Sequence, residues 1–159
     1  MKVTVTWHGD RRFVGRGPSG VPVLINFGPG ETAAGPPPGP AADEDGTRPA
    51  GPSPVELLLI ATGACTGLDV VSILQKKRVA FSGLEIEVGG RRAPDHPRYF
   101  TRLEVVYRLK ASPGARPGPE HALEHAARLS MERYCSVGCS LRADKSWRCE
   151  VVPEDPRAT

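Results

Sequence analysis

Four cysteines carry the reactive potential of this 159-residue chain, and two stand in contexts that ask for an explanation. Cys65 lies in "ATGACTGLDVVSIL", Ala61 to Leu74, flanked by Ala61, Thr62, Gly63, Ala64, Thr66 and Gly67. Those side chains are too small to fill a core by themselves. Two glycines within five helical residues cost roughly 1 kcal/mol each relative to alanine. That cost is accounted for if something approaches the backbone there, or if the helix breaks and restarts at the cysteine. A restarted helix would aim its N-terminal amides at the sulfur and favour the thiolate. A buried cysteine is also a common compact hydrophobe, so both readings stand at this point.

The second context is "RYCSVGCSL", Arg133 to Leu141. Cys135 and Cys139 are four residues apart and share a face if the helix before them continues. Cys149 alternates in phase with Trp147 and Val151 and reads as an apolar-face strand residue. The spacing of Cys135, Cys139 and Cys149 lacks the close pairs of structural zinc sites. His121 and His125 form an i,i+4 pair, but between Glu120 and Arg128 they read as part of a solvated face. No metal or organic cofactor is expected.

The elements that must position these thiols follow from hydrophobic periodicity. "VTVTW" (Val3 to Trp7) alternates as a half-buried strand does, and "PVLINF" (Pro22 to Phe27) is a second short strand. From Gly28 to Gly51 glycine, proline, alanine and acids dominate, so this segment is expected to be a flexible surface insertion. "SPVE" (Ser53 to Glu56) is a helix start: Ser53 caps, Pro54 suits the first helical position, and Glu56 completes a capping box. The helix beyond is apolar nearly all round and is expected to be buried on most of its surface. Lys76, Lys77 and Arg78 suit its C-terminus.

"LEIEVGGRR" (Leu84 to Arg92) and "RYFTRLEVVYRLKA" (Arg98 to Ala111) predict a hairpin turned by "APDHP". A second helix should begin near Pro119, and "WRCEVV" (Trp147 to Val152) should be the last strand, with residues 153–159 frayed. The order indicates one α+β domain over residues 1–159, with antiparallel strands packed on a long central helix plus a second helix.

Composition narrows the function classes. Hydrophobic residues make up 39% and charged residues 25%, and the net charge is +3. That charge gives little ground for a nucleic-acid partner. "MKVTVTWHGDRRF" has no apolar run of signal-peptide length, and the apolar helix carries Glu56 and Asp69, each costly at a bilayer centre. A cytoplasmic protein with no membrane partner is expected, and cysteines in that compartment are inert, metal-bound or working thiols.

"SPVELLLIATGACTGLDVVSILQK", a strand pair ending "PRYFTRLEVVYRL", and "ALEHAARLSMERYCSV" together resemble the OsmC/Ohr family of hydroperoxide-reducing proteins, in particular its general OsmC-like branch. The resemblance spans nearly the whole chain apart from Gly28 to Gly51 and the C-terminal tail. It implies an intertwined homodimer with active sites at the subunit interface. It further implies Cys65 as peroxidatic cysteine and Cys135 as resolving cysteine in a thiol-dependent reduction of organic hydroperoxides or hydrogen peroxide. An external reductant of the dihydrolipoamide type would restore the thiols.

In the family's peroxidases an arginine held by a glutamate activates the nucleophile. Glu56 matches that glutamate. On a straight helix, nine residues separate it from Cys65 by about 13.5 Å and place it on the opposite face. So either the helix bends at Gly63 or Glu56 acts across the dimer. The Gly-Gly-Arg element that supplies the arginine is replaced here by "HGDRRFVGRGPSG", leaving Arg11, Arg12 and Arg16 as candidates. Cys139 is a further departure, a spare thiol that could compete with Cys135 as resolver or simply pack. The same fold holding an apolar ligand, with cysteines that turn over little, is the rival reading.

Overall fold

The computed structural model describes residues 1–9, 11–27, 51–112 and 118–153. Most of the Gly28 to Gly51 segment and the tail beyond Pro153 lie outside the described residues. The chain divides into two compact units, Met1–Leu58 and Leu59–Thr159.

The first unit holds an antiparallel meander of β1 (Thr4–Trp7), β2 (Phe13–Arg16) and β3 (Pro22–Ile25). The sequence reading passed over β2, because "FVGR" is only four residues long and carries a glycine, which leaves almost no alternation to detect. Cross-strand pairing supplies what the local pattern lacks: Val5 faces Gly15, and Gly15 faces Val23. Val14 and Phe27 are buried, whereas Val5 and Trp7 are exposed, Trp7 at 64%. Gly51, at φ +77°, sits where a Cβ would come 2.6 Å from the Phe27 carbonyl, a place no side chain fits.

Helix α1 (Pro54–Lys76) starts as its capping box dictates. The Ser53 amide donates to Glu56 Oε2 at 2.8 Å, and the Glu56 amide donates to Ser53 Oγ at 3.3 Å, so two orphan amides are satisfied reciprocally. The helix runs unbroken through Gly63 and Cys65. Of the two causes open for the glycines, the helix break at the cysteine does not occur, and close approach to the backbone does. A Cβ on Gly63 would lie 3.1 Å from Val88 Cγ2, and one on Gly67 would lie 2.8 Å from Ile86 Cδ1. What approaches the helix backbone is the neighbouring strand.

In the second unit, β4 (Phe81–Arg92), β5 (Phe100–Ala111) and β6 (Asp144–Pro153) form a sheet in that order. β4 and β5 pair antiparallel, as the hairpin reading expects. β5 and β6 pair parallel, with Val105 opposite Trp147, and here the expectation of antiparallel strands needs correcting. The physical reason is α2 (Pro119–Leu129), which carries the chain back along the sheet and makes β5-α2-β6 a crossover unit.

Alternation along β5 buries Leu103, Val105, Tyr107 and Leu109 completely. Val105, Tyr107 and Leu109 close the core with Val70 and Leu74 of α1 and Leu123, Ala126 and Ala127 of α2. On the outer face Arg108 bridges Glu85, Glu87 and Glu150 at 2.9 to 3.0 Å across all three strands.

Among the described residues α1 is the one helix long and apolar enough to cross a membrane by length and composition. Its enclosed Thr62, Thr66, Val70 and Leu74 give it the packing of a core helix. It is not covered all round, however. Ile60 is 57% exposed and Leu68 is 75% exposed, so the expectation of burial on most of its surface fails for the single chain.

Candidate functional site

The two cysteine contexts converge. Cys65, half-buried on α1, brings its thiol within hydrogen-bonding reach of Cys135, which is fully enclosed. The sulfurs are not joined; all four cysteines are free thiols.

Cys135 reaches this position because its helix ends irregularly. After α2 the chain widens into a π-helical turn, Ser130–Tyr134, whose last bond runs from the Cys135 amide to the Ser130 carbonyl at 2.9 Å. Such turns insert one residue and shift everything after them around the axis. Cys135 then leaves helical geometry (φ −67°, ψ 92°) and caps the short helix α3 (Ser136–Ser140), where its sulfur accepts from the Gly138 amide at 3.3 Å. The helix does not continue, so Cys135 and Cys139 do not share a face: Cys135 points in and Cys139 is exposed.

Burial pushes the Cys135 thiol up to about 11. The Gly138 amide opposes this, while the Cys65 thiol and the Asp69 carboxylate add to it. Cys135 is thus held protonated in the resting protein. Cys149 is pushed further, to about 12, by burial and by a hydrogen bond to Glu124, which also accepts from Trp147 Nε1 at 3.2 Å. It packs against the core edge, as its strand phase suggests.

Four residues that the sequence reading did not assign to the site, Thr66, Tyr107, Ser130 and Asp69, form a hydrogen-bonded chain beside the thiols. Tyr107 OH lies 2.6 Å from Thr66 Oγ1, Thr66 Oγ1 lies 2.8 Å from Ser130 Oγ, and Ser130 Oγ donates to Asp69 Oδ2 at 2.8 Å. Thr66, Tyr107 and Ser130 are fully buried. A signal was present: Asp69 is one helical turn beyond Cys65 in a run of Leu68, Val70 and Val71, where a carboxylate needs a reason.

Glu56 is used locally. Its carboxyl is lowered by its side-chain and backbone hydrogen bonds with Ser53. Arg11, Arg12 and Arg16 lie around the turns of the first sheet. Asn26 Nδ2 donates to the Arg11 carbonyl at 2.8 Å, the Arg12 amide donates to the Gly9 carbonyl at 3.0 Å, and Arg16 Nη1 donates to the Gly20 carbonyl at 3.5 Å. His121 is exposed, and His125 is half-buried, its imidazole lowered first by burial and then by Lys77.

An apolar groove of about 510 Å³ runs between α1 and β4, walled by Leu59, Ile60, Ala64 and Val71 and by Leu84 and Val88. At 100° per residue, Ile60, Ala64 and Val71 form one stripe of the helix, and Cys65 with Asp69 lies on a different one.

Comparison with known proteins gives a consistent picture. A family model described as "OsmC-like protein" matches residues 44–150. Protein YhfA of Escherichia coli strain K12 is 31% identical over 141 residues, 89% of each chain. A crystal structure of a hypothetical protein from Aquifex aeolicus is 29% identical, with TM-score 0.66 and 97% of each chain covered. An organic hydroperoxide resistance protein from Legionella pneumophila is 12% identical, with TM-score 0.55 over 95% of this chain and 96% of that one, a likeness of fold.

Proposed function

This chain belongs to the OsmC-like family, and on that footing we propose that it is a cytoplasmic, homodimeric thiol peroxidase acting as a single functional domain. The observation that carries the reading is the meeting of Cys65 and Cys135 from segments seventy residues apart in sequence. Supporting it, structural neighbours from Legionella pneumophila and Bacillus subtilis bear the name organic hydroperoxide resistance protein.

In this reading the Cys65 thiolate attacks the O–O bond of an organic hydroperoxide or hydrogen peroxide. An S–O bond forms, the O–O bond breaks, and the leaving oxygen takes a proton to depart as alcohol or water. Cys135 then attacks the Cys65 sulfenic acid, forming a disulfide and releasing water. An external dithiol of the dihydrolipoamide type reduces the disulfide. Cys135 is the resolver because it is enclosed beside Cys65, whereas Cys139 is exposed on α3. Glu56 and one of Arg11, Arg12 and Arg16 supply the thiolate-stabilising pair in the assembled dimer. Exposed Leu58, Ile60 and Leu68 on α1 support a second copy of the chain as the cover.

A second reading is an apolar-ligand carrier, and the groove between α1 and β4 favours it because its walls do not include Cys65. Thiol titration before and after one equivalent of cumene hydroperoxide separates the two. The peroxidase loses two thiols per chain, and Cys65→Ser abolishes the loss; an unchanged thiol count in the wild type leaves the carrier.

A further inference from the structure

We propose that Asp69 is the proton acceptor for Cys135 when that thiol attacks an oxidised Cys65, and that Ser130, Thr66 and Tyr107 position its carboxylate for the task. The inference rests on the paired-thiol reading above and adds a residue that reading lacks.

The direction of the hydrogen bonds is the first argument. A carboxylate only accepts, so Ser130 must give its single hydroxyl proton to Asp69 Oδ2. Ser130 can then only accept from Thr66, and Thr66, its own proton spent, can only accept from Tyr107. The chain has one polarity, with every proton pointing toward Asp69. That arrangement holds the carboxylate in one orientation.

Placement is the second argument. Asp69 follows Cys65 by one helical turn and shares its face. Ser130, which holds Asp69, also accepts the Cys135 amide through its carbonyl at 2.9 Å. One residue therefore ties the carboxylate to the backbone of the enclosed thiol.

Chemical need is the third. A thiol held protonated by burial is a poor nucleophile, and its attack requires the proton to leave as the S–S bond forms. With a Cys65 sulfenic acid, the S–S bond forms, the S–O bond breaks, and the Cys135 proton passes through Asp69 to the departing hydroxide as water. With a mixed disulfide at Cys65, the departing group is a thiolate and the proton goes on to solvent.

The test uses the mixed disulfide, so it does not depend on peroxide turnover. In a Cys139→Ser, Cys149→Ser background, 5,5′-dithiobis(2-nitrobenzoate) releases one nitrothiobenzoate on capping Cys65 and a second when Cys135 closes the disulfide. Asp69→Asn, which keeps the shape and the Ser130 hydrogen bond, is expected to slow the second release by about 100-fold, within the usual range for a lost general base. Asp69→Glu should recover part of the rate.

A second release that is unchanged or faster in Asp69→Asn overturns the proposal. Loss of a negative charge alone would favour the Cys135 thiolate and speed the attack. Ser130→Ala, which unties the carboxylate, provides the same reading if Asp69→Asn fails to fold, with slowing again expected. A wild type that never gives the second release overturns the pairing and this inference with it. A wild type that closes on the probe but consumes no hydroperoxide overturns only the peroxidase, and the rate comparison still decides the role of Asp69.

Discussion

The Cys135 amide donates to the Ser130 carbonyl at 2.9 Å, a five-residue step that ends the helix and turns the Cys135 sulfur inward toward Cys65. Had the turn been α-helical, Cys135 would have stayed on the face it shares with Cys139. The irregularity separates an enclosed thiol from an exposed one four residues later.

Chemical roles for the two should differ accordingly. Cys135→Ser is expected to leave the first attack on a hydroperoxide intact and to strand Cys65 as a sulfenic acid. Mass spectrometry after excess peroxide should then show sulfinic and sulfonic forms of Cys65 that the wild type avoids. A Cys65–Cys139 disulfide in the wild type would reassign the resolver.

Thr66 holds the centre of a buried chain, accepting from Tyr107 and donating to Ser130. Thr66→Val keeps the volume and removes both hydrogen bonds, leaving the Tyr107 hydroxyl enclosed without an acceptor. A loss of about 1–3 kcal/mol is expected in urea unfolding, the usual cost of an unsatisfied buried polar group. Tyr107→Phe removes a donor at the end of the chain and should cost less.

Alkaline destabilisation should be steep. Cys135 is raised to about 11 and Cys149 to about 12, both chiefly by burial. Above the ordinary thiol value near 9, the unfolded chain gives up protons that the folded chain retains. The unfolded state then binds fewer protons, so stability falls as pH rises. The fall should run from about pH 9 to about pH 12. Urea midpoints measured across that window should drop less in Cys149→Ser than in the wild type.

Leu68 projects from α1 at 75% exposure, and Ile60 from the same helix at 57%. If a second copy covers them, the wild type sediments as a dimer and Leu68→Asp shifts it toward monomer while each chain keeps its helical circular dichroism. A wild type that sediments as a monomer at micromolar concentration overturns the homodimer.

Much of the fold was legible where local rules are strong. The capping box at Ser53 and Glu56, the hairpin of β4 and β5, and the start of α2 at Pro119 follow from residue type and period alone. Short β2 was not legible, since four residues carry too little periodicity. The parallel pairing of β6 depends on which strand the chain meets after α2, a matter of tertiary closure. Gly63 and Gly67 signalled either a close approach or a broken helix, and what comes close is Val88 and Ile86. A glycine records that something comes close, not what comes.

The sequence by itself determined that Cys65 lies in an apolar helical segment and that Cys135 follows the start of a second helix, because cap, period and composition act over a few residues. Only the tertiary structure decided that the two sulfurs meet, that Cys139 faces away, and that Asp69 lies at the end of a one-way chain of hydroxyls. Those relations join residues forty to seventy positions apart, and proximity across such spans is set by how helix and sheet pack. No local pattern encodes it.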